Sequence, residues 1–195
     1  LSTTPNSTPD DADQAGAFFG YSVASAGDVN GDGYSDVIIG AANYNDNYSF
    51  EGVAFIYHGS VTGLSASPNS RPDDANQGTA FFGASVASAG DVNGDEYSDV
   101  IIGAYTFDDG ANIDEGRVFV YHGSASGLSA TPNSIPDDAN QPYAYFGWSV
   151  AGAGDVNGDG YSDVIIGAPA YTDGANTGEG RAFVYYGSAS GLSAI

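Results

Sequence analysis

The chain has 195 residues and a formal net charge of −22, with 25 Asp and Glu against three Arg and with no Lys, Cys or Met. At 42% hydrophobic and 13% aromatic content it has the means to build a sizeable core and is too apolar for intrinsic disorder. The missing Cys excludes disulfides, thiol nucleophiles and thiolate metal sites, and the acidic surplus excludes nucleic acid and anionic membranes as partners.

Residues 17–24 mix aromatic, Gly, Ser and Val side chains as a strand does, and the Asp/Asn/Gly run at 28–33 is a turn. Val37-Ile38-Ile39 is a short apolar run suited to a strand covered on both faces. A polar loop at 43–52 leads to a similar strand, Val53-Ala54-Phe55-Ile56-Tyr57. Residues 65–71 are polar and contain Pro68, which fits an outer edge strand and not the middle of a sheet. No window sustains a 3.6-residue apolar period, so minimal helix is expected. No apolar run nears the ~20 residues that span a bilayer. With no signal peptide and no initiating Met, the chain reads as a mature form or an excised segment.

The whole pattern then repeats. Asp28-Val29-Asn30-Gly31-Asp32-Gly33-Tyr34-Ser35-Asp36-Val37-Ile38-Ile39-Gly40-Ala41 returns with one change at 91–104 and unchanged at 155–168. Three units follow, approximately 1–63, 64–127 and 128–195, in a single domain. Four strands per unit, the second and third doubly covered, predict an all-β protein: a β-propeller of four-stranded blades. Leu1-Ser2 corresponds to Leu64-Ser65, so the first segment is an outer strand and the last sheet lacks one. Propellers typically have four to eight blades, so three imply a longer array or an assembly. The preferred expectation is a homodimer of six blades in which each opening strand completes the other chain's last sheet.

The unit resembles the FG-GAP repeat of integrin α-subunit propellers. Phe-Gly stands at Phe19-Gly20, Phe82-Gly83 and Phe146-Gly147; Gly-Ala-Pro is literal at Gly167-Ala168-Pro169, with near matches at Gly40-Ala41-Ala42 and Gly103-Ala104-Tyr105. The number of repeats, three where integrins have seven, and the near-identity of the copies depart from that family.

Asp28, Asn30, Asp32 and Asp36 occupy positions 1, 3, 5 and 9 of a Gly-containing loop, and the Tyr34 carbonyl at position 7 adds an oxygen, as in the first half of an EF-hand. The second loop offers Asp91, Asn93, Asp95, Tyr97 (carbonyl) and Asp99; the third offers Asp155, Asn157, Asp159, Tyr161 (carbonyl) and Asp163. Carboxylates gathered so closely repel one another without a counter-ion. Several protein oxygens favour Ca²⁺ over Mg²⁺, which holds its waters. One Ca²⁺ per repeat is therefore expected, in a structural role, and the resemblance implies the same for loops joining the first and second strands of a blade. Glu96 stands where the other loops have Gly33 and Gly160, so the second site is expected to be the weakest.

The Pro-Asp-Asp-Ala runs at 9–12, 72–75 and 136–139 read as polar turns, with cation collection at a channel mouth as the lesser alternative. Arg117 and Arg181, each following Glu-Gly, are expected to pair with acids. His58 and His122, replaced by Tyr186 in the third unit, read as packing residues. Tyr44, Tyr48, Tyr105, Phe107, Tyr171, Tyr143, Tyr145 and Trp148 are expected to wedge between blades, with stacking on a sugar or protein ligand as the alternative. No Ser/His/Asp grouping, phosphate-cradling Gly motif or His-rich site is present, so no enzyme is expected. The leading expectation is a calcium-binding, non-catalytic scaffold for interaction or adhesion, secreted or at the cell surface as the resemblance implies. Its alternatives are a lectin-like propeller and a designed or excised repeat array without a selected ligand.

Overall fold

The computed structural model describes residues 3–193. These comprise nine strands and no helix: β1 (Phe19–Gly27), β2 (Asp36–Ala41), β3 (Val53–Tyr57), β4 (Ser85–Gly90), β5 (Asp99–Ala104), β6 (Arg117–Tyr121), β7 (Ser149–Gly154), β8 (Asp163–Ala168) and β9 (Arg181–Tyr185). They form three antiparallel meanders, β1-β2-β3, β4-β5-β6 and β7-β8-β9, one per repeat. β-Branched Val and Ile dominate each middle strand and suit a pleated surface covered by neighbours. Register pairs Ile38 with Ile56 and Ile39 with Phe55, and the second sheet repeats this as Ile101 with Val120 and Ile102 with Phe119. The first strand ends in a bulge at Gly27, whose φ of 77° a Cβ would oppose.

Sheet 2 lies between the other two, with β4 packed on β1 and on β7. Strand alternation gives each sheet a forward face toward the next sheet and a rear face toward the previous one. Ile38, Ala54 and Ile56 face forward and share a core with Phe82, Val86, Ile102 and Phe119 on the rear of sheet 2. Ile101, Val118 and Val120 meet Phe146, Val164 and Ile166 of sheet 3 in the same way. Each such side chain contributes roughly 1.5–3 kcal/mol on full burial. A third cluster packs Ile39, Phe55 and Tyr57, on the rear of sheet 1, with Ala12, Ala17 and Leu64, and leaves part of that face open. Three meanders stacked in series fit a β-propeller. Among the described residues no helix is long and apolar enough to cross a membrane.

The Phe-Gly and Gly-Ala pairs meet at the joints between sheets. The Gly83 carbonyl accepts a hydrogen bond from Ser22 Oγ at 2.7 Å and sits where a Cβ on Gly40 would come within 1.9 Å of it. Gly147 meets Ser85 and Gly103 identically, with a bond of 2.7 Å and a would-be clash at 2.2 Å. Any side chain at Gly40 or Gly103 would push the sheets apart.

The outer element differs from expectation. Residues 65–71 do not form a strand; Ser70 alone bridges Ile56, and Ser134 alone bridges Val120. Asn69 donates to the Ile56 carbonyl, Ile56 to Ser70 and Ala54 to Pro72. Pro68 and Pro72 have no N–H to extend the ladder, so the sheets are three-stranded, with the outer segment held along the third strand by these separate bonds. The expected outer-strand start at Leu1-Ser2 lies outside the described residues.

Candidate metal loops

The three Asp-Asn-Asp loops turn β1 into β2, β4 into β5 and β7 into β8, and all are built alike. Asp28 Oδ1 accepts the N–H groups of Gly31 (2.7 Å) and Asp32 (3.1 Å), and its Oδ2 accepts that of Gly33 (2.8 Å). Asn30 Oδ1 accepts Asp32 N–H and Asp32 Oδ1 accepts Tyr34 N–H. Asp36, fully buried, ties the loop to the sheet: its Oδ2 accepts Val29 N–H at 2.8 Å and its Oδ1 accepts Gly59 N–H at 2.7 Å. Asp91, Asn93, Asp95 and Asp99 repeat the pattern, with Asp99 holding Val92 and Gly123. Asp155, Asn157, Asp159 and Asp163 repeat it again, with Asp163 holding Val156 and Gly187. Glu96 keeps the loop by adopting φ 73°, close to Gly33 (86°) and Gly160 (94°). A non-glycine residue pays a strain there, which agrees with the difficulty expected of this position.

Among the described residues no three Asp, Glu, His or Cys side chains already form a ready metal cage. The loop carboxylates lie on their own N–H groups. The donor set still suits a hard cation. The Oδ1 atoms of Asp28, Asp91 and Asp155 each accept two N–H groups, but the Oδ2 atoms of the same residues and the Asn30, Asn93 and Asn157 oxygens accept one and keep a second lone pair. The carbonyls of Tyr34, Tyr97 and Tyr161 add neutral oxygens. The charge balance points the same way. Burial pushes the Asp99 carboxyl up to about 7 against the pull of its two backbone donors, and the negative charges of Asp95 and Asp91 push it further. At the exposed end of the third loop, backbone N–H groups led by that of Gly160 hold Asp155 below the usual carboxylate range.

The loops also reach the next sheet, which the sequence did not reveal. The Asp28 carbonyl accepts Ser98 N–H at 2.9 Å and the Val29 carbonyl accepts Ser124 N–H at 3.0 Å. Asp91 and Val92 hold Ser162 and Ser188 likewise. The Tyr97 ring lies on Gly31 and the Tyr161 ring on Gly94, so a side chain at either glycine would strike an aromatic ring. Each loop is therefore part of the joint between successive sheets.

A family model described as FG-GAP repeat matches residues 19–57, 82–121 and 146–185, the three stretches that hold every strand. The chain belongs to the FG-GAP repeat family. Its relatives include integrin alpha-6 of Homo sapiens, 36% identical over 161 residues, covering 81% of this chain. Integrin alpha-V of Gallus gallus is 35% identical over 161 residues and integrin alpha-PS2 of Drosophila melanogaster 35% over 167, each covering 80% of this chain. The chain spans only 12–15% of the length of these three relatives.

Other polar residues of the FG-GAP units prove to be fasteners. The second Asp of each Pro-Asp-Asp-Ala run accepts a hydrogen bond from a tyrosine hydroxyl of the following sheet: Tyr57 to Asp11, Tyr121 to Asp74 and Tyr185 to Asp138, each at 2.6 Å. Burial, and then the Asp partner, raise all three tyrosine pKa values above the ordinary range. These runs are thus clasps, with no sequence signal beyond their recurrence.

All three arginines do one job. Arg117 lies 4.2 Å over Phe107 and bridges Asp109 and Asp137, both at 3.0 Å. Arg181 lies 4.1 Å over Tyr171 and pairs with Asp173 at 2.6 Å. The first unit has Val53 at the corresponding place, and Arg71 of the outer segment substitutes, 4.7 Å over Tyr44 and 3.7 Å from Asp46. The Arg pairing expected from the sequence holds, and extends to Arg71.

His58 and His122 accept the amide N–H of Asn30 and Asn93 at Nδ1 (3.2 and 3.1 Å), so they touch the loops as well as filling space. Among the aromatics, Tyr44, Phe107 and Tyr171 meet Phe55, Phe119 and Phe183 edge-on. Tyr105 stacks on Phe81 at 5.7 Å and meets Trp148 at 4.7 Å, in a cluster whose Trp148 is half exposed.

Proposed function

We propose that this FG-GAP chain is a calcium-stabilised, non-catalytic β-propeller scaffold for adhesion-type interactions outside the cell. The observation that carries the reading is the double role of the Asp-Asn-Asp loops. Their side chains form an oxygen-rich donor set, while their carbonyls at Asp28, Val29, Asp91 and Val92 hold the next sheet. An ion bound by Asp28, Asn30, Asp32, Asp36 and the Tyr34 carbonyl, and by their counterparts in the other two units, fixes the joints of the stack. It also offsets repulsion in a chain of net charge −22. The second site, strained at Glu96, is the weakest. Seven of the carboxylates outside the loops sit in tyrosine clasps or arginine pairs, which supports a non-catalytic role. Likeness to integrin alpha chains and the millimolar calcium outside cells support a secreted or cell-surface location. The outer segments flank the third strands through single bridges, and two chains together supply six blades.

Native mass spectrometry in calcium tests the reading. Three ions per chain, the second lost first on chelation, with a drop in melting temperature, are expected. A chain that retains no calcium and melts identically in chelator overturns it.

The exposed Trp148-Tyr105 cluster supports a second reading, a glycan-binding propeller, since flat aromatic faces stack on sugar rings. Glycan-array binding abolished by Trp148→Ala would establish it.

A further inference from the structure

The two internal joints define what a complete joint contains, and the two ends of the stack each present one half of it. On the forward side of sheet 3, Ile165 and Val184 are 37% and 39% exposed, whereas their counterparts Ile38, Ile56, Ile101 and Val120 are fully buried. On the rear of sheet 1, Val23 is 68% exposed against 8% for Val86, which lies within a joint. Beside Val23 an apolar cavity of about 340 Å³ is lined by Pro9, Val37, Ile39 and Leu64. The polar parts are divided in the same way. Gly20 meets nothing where Gly83 meets sheet 1, and the notch of Gly167 and Ser149 is unfilled where Gly40 and Ser22, or Gly103 and Ser85, receive a glycine carbonyl.

We infer that the rear face of sheet 1 docks on the forward face of sheet 3 of a second copy of this chain, and that two such joints close a ring of two chains. The partner is a second copy because both halves of the joint lie on one chain and reproduce its own internal contacts. In this joint Ile165 and Val184 fill the cavity beside Val23, and the Gly20 carbonyl accepts the Ser149 hydroxyl. The carbonyls of Asp155 and Val156 take the N–H groups of Ser35 and Ser60, as Asp28 and Val29 take those of Ser98 and Ser124. Ser7 corresponds to Ser70 and Ser134, so it lies along β9 of the other copy as they lie along β3 and β6. The contact is head-to-tail, so two joints close it only because both chains supply both halves. The inference rests on the scaffold reading and specifies its partner.

The test uses the full chain in millimolar calcium, with mass by light scattering and ion count by native mass spectrometry. Wild type is expected at twice the 19.7 kDa chain mass. Val23→Glu blocks every rear face and Ile165→Glu every forward face, so each variant alone is expected as a single chain. An equimolar mixture keeps one good joint and is expected to return to two chains. Both positions are solvent-exposed in a single chain, and the circular dichroism spectrum of each variant checks that it folds. A wild-type single chain, an open-ended polymer, or either variant remaining paired alone overturns the joint. A single chain that still carries three calcium ions overturns the joint and leaves the scaffold reading standing. Two chains without calcium support the joint and overturn the calcium reading.

Discussion

The hexapeptide Asp-Val-Ile-Ile-Gly-Ala occurs three times, as β2, β5 and β8, and the three copies live in different surroundings. In β5 every residue is buried, whereas in β8 the first Ile is exposed and the Gly half so. Sequence and register are identical, so the difference comes wholly from the neighbour on the forward side. Burial here belongs to the joint and not to the strand, and stability should be concentrated where two sheets share a core.

The largest effect should come from Gly103→Val, whose new carbons would collide with the Gly147 carbonyl inside a joint. Overpacking against backbone should cost about 3 kcal/mol or more. The same change at Gly167, near which only Ser149 lies within reach in a single chain, should cost far less when both changes are made in the Val23→Glu background, where the joint between chains is blocked. Urea denaturation of both variants at one calcium concentration checks the contrast, and equal losses would refute it.

Tyr121→Phe should follow. It removes the hydroxyl that Asp74 accepts beside a fully buried ring, at an expected cost of about 1–2 kcal/mol. Thermal unfolding of Tyr121→Phe beside wild type measures it. Glu96→Gly acts in the opposite direction. Releasing the φ of 73° should stabilise the chain by about 0.5–1 kcal/mol and tighten the second loop's hold on calcium, measurable by titration calorimetry.

The smallest expected effect concerns pH. Burial, and then the hydrogen bond and charge of Asp46, push the Asp73 carboxyl up to about 6 from its ordinary 3.8, partly opposed by Arg71. The folded chain therefore binds a proton there that the unfolded chain releases near pH 4. The stabilisation is fully present below pH 4 and is lost as pH rises through 6. Asp73→Asn should flatten the stability profile between those limits, and unfolding curves across pH 4–7 would reveal an unchanged slope if the pair does not matter.

What the sequence announced was local. The bounds of β3 follow from one apolar run, and β2 extends its Val-Ile-Ile core by one residue before and two after. Glycine placement and carboxylate spacing made the loops and the difficulty at Glu96 legible. β1 starts two residues later than expected and runs three further, because the bulge at Gly27 carries the ladder on to Asp36. The outer strand was overestimated, since its prolines leave a single bridge. The clasps and the guanidinium over each aromatic ring were hidden for a different reason. Tyr121 and Asp74 lie 47 residues apart, and Arg71 replaces a cation that the other units carry at the start of the third strand. Such pairings are created by the stacking of sheets, and no local pattern encodes them.

The Phe-Gly carbonyl and the Gly-Ala notch that receives it have a consequence for descent. Every unit carries the plug for the unit before it and the socket for the unit after it, in the same few residues. A tandem duplication of one unit therefore arrives with both connections already matched, and a deletion leaves none mismatched. Array length can drift by whole units without any compensating substitution at the joints, whereas a gain or loss of part of a unit would leave a plug without a socket.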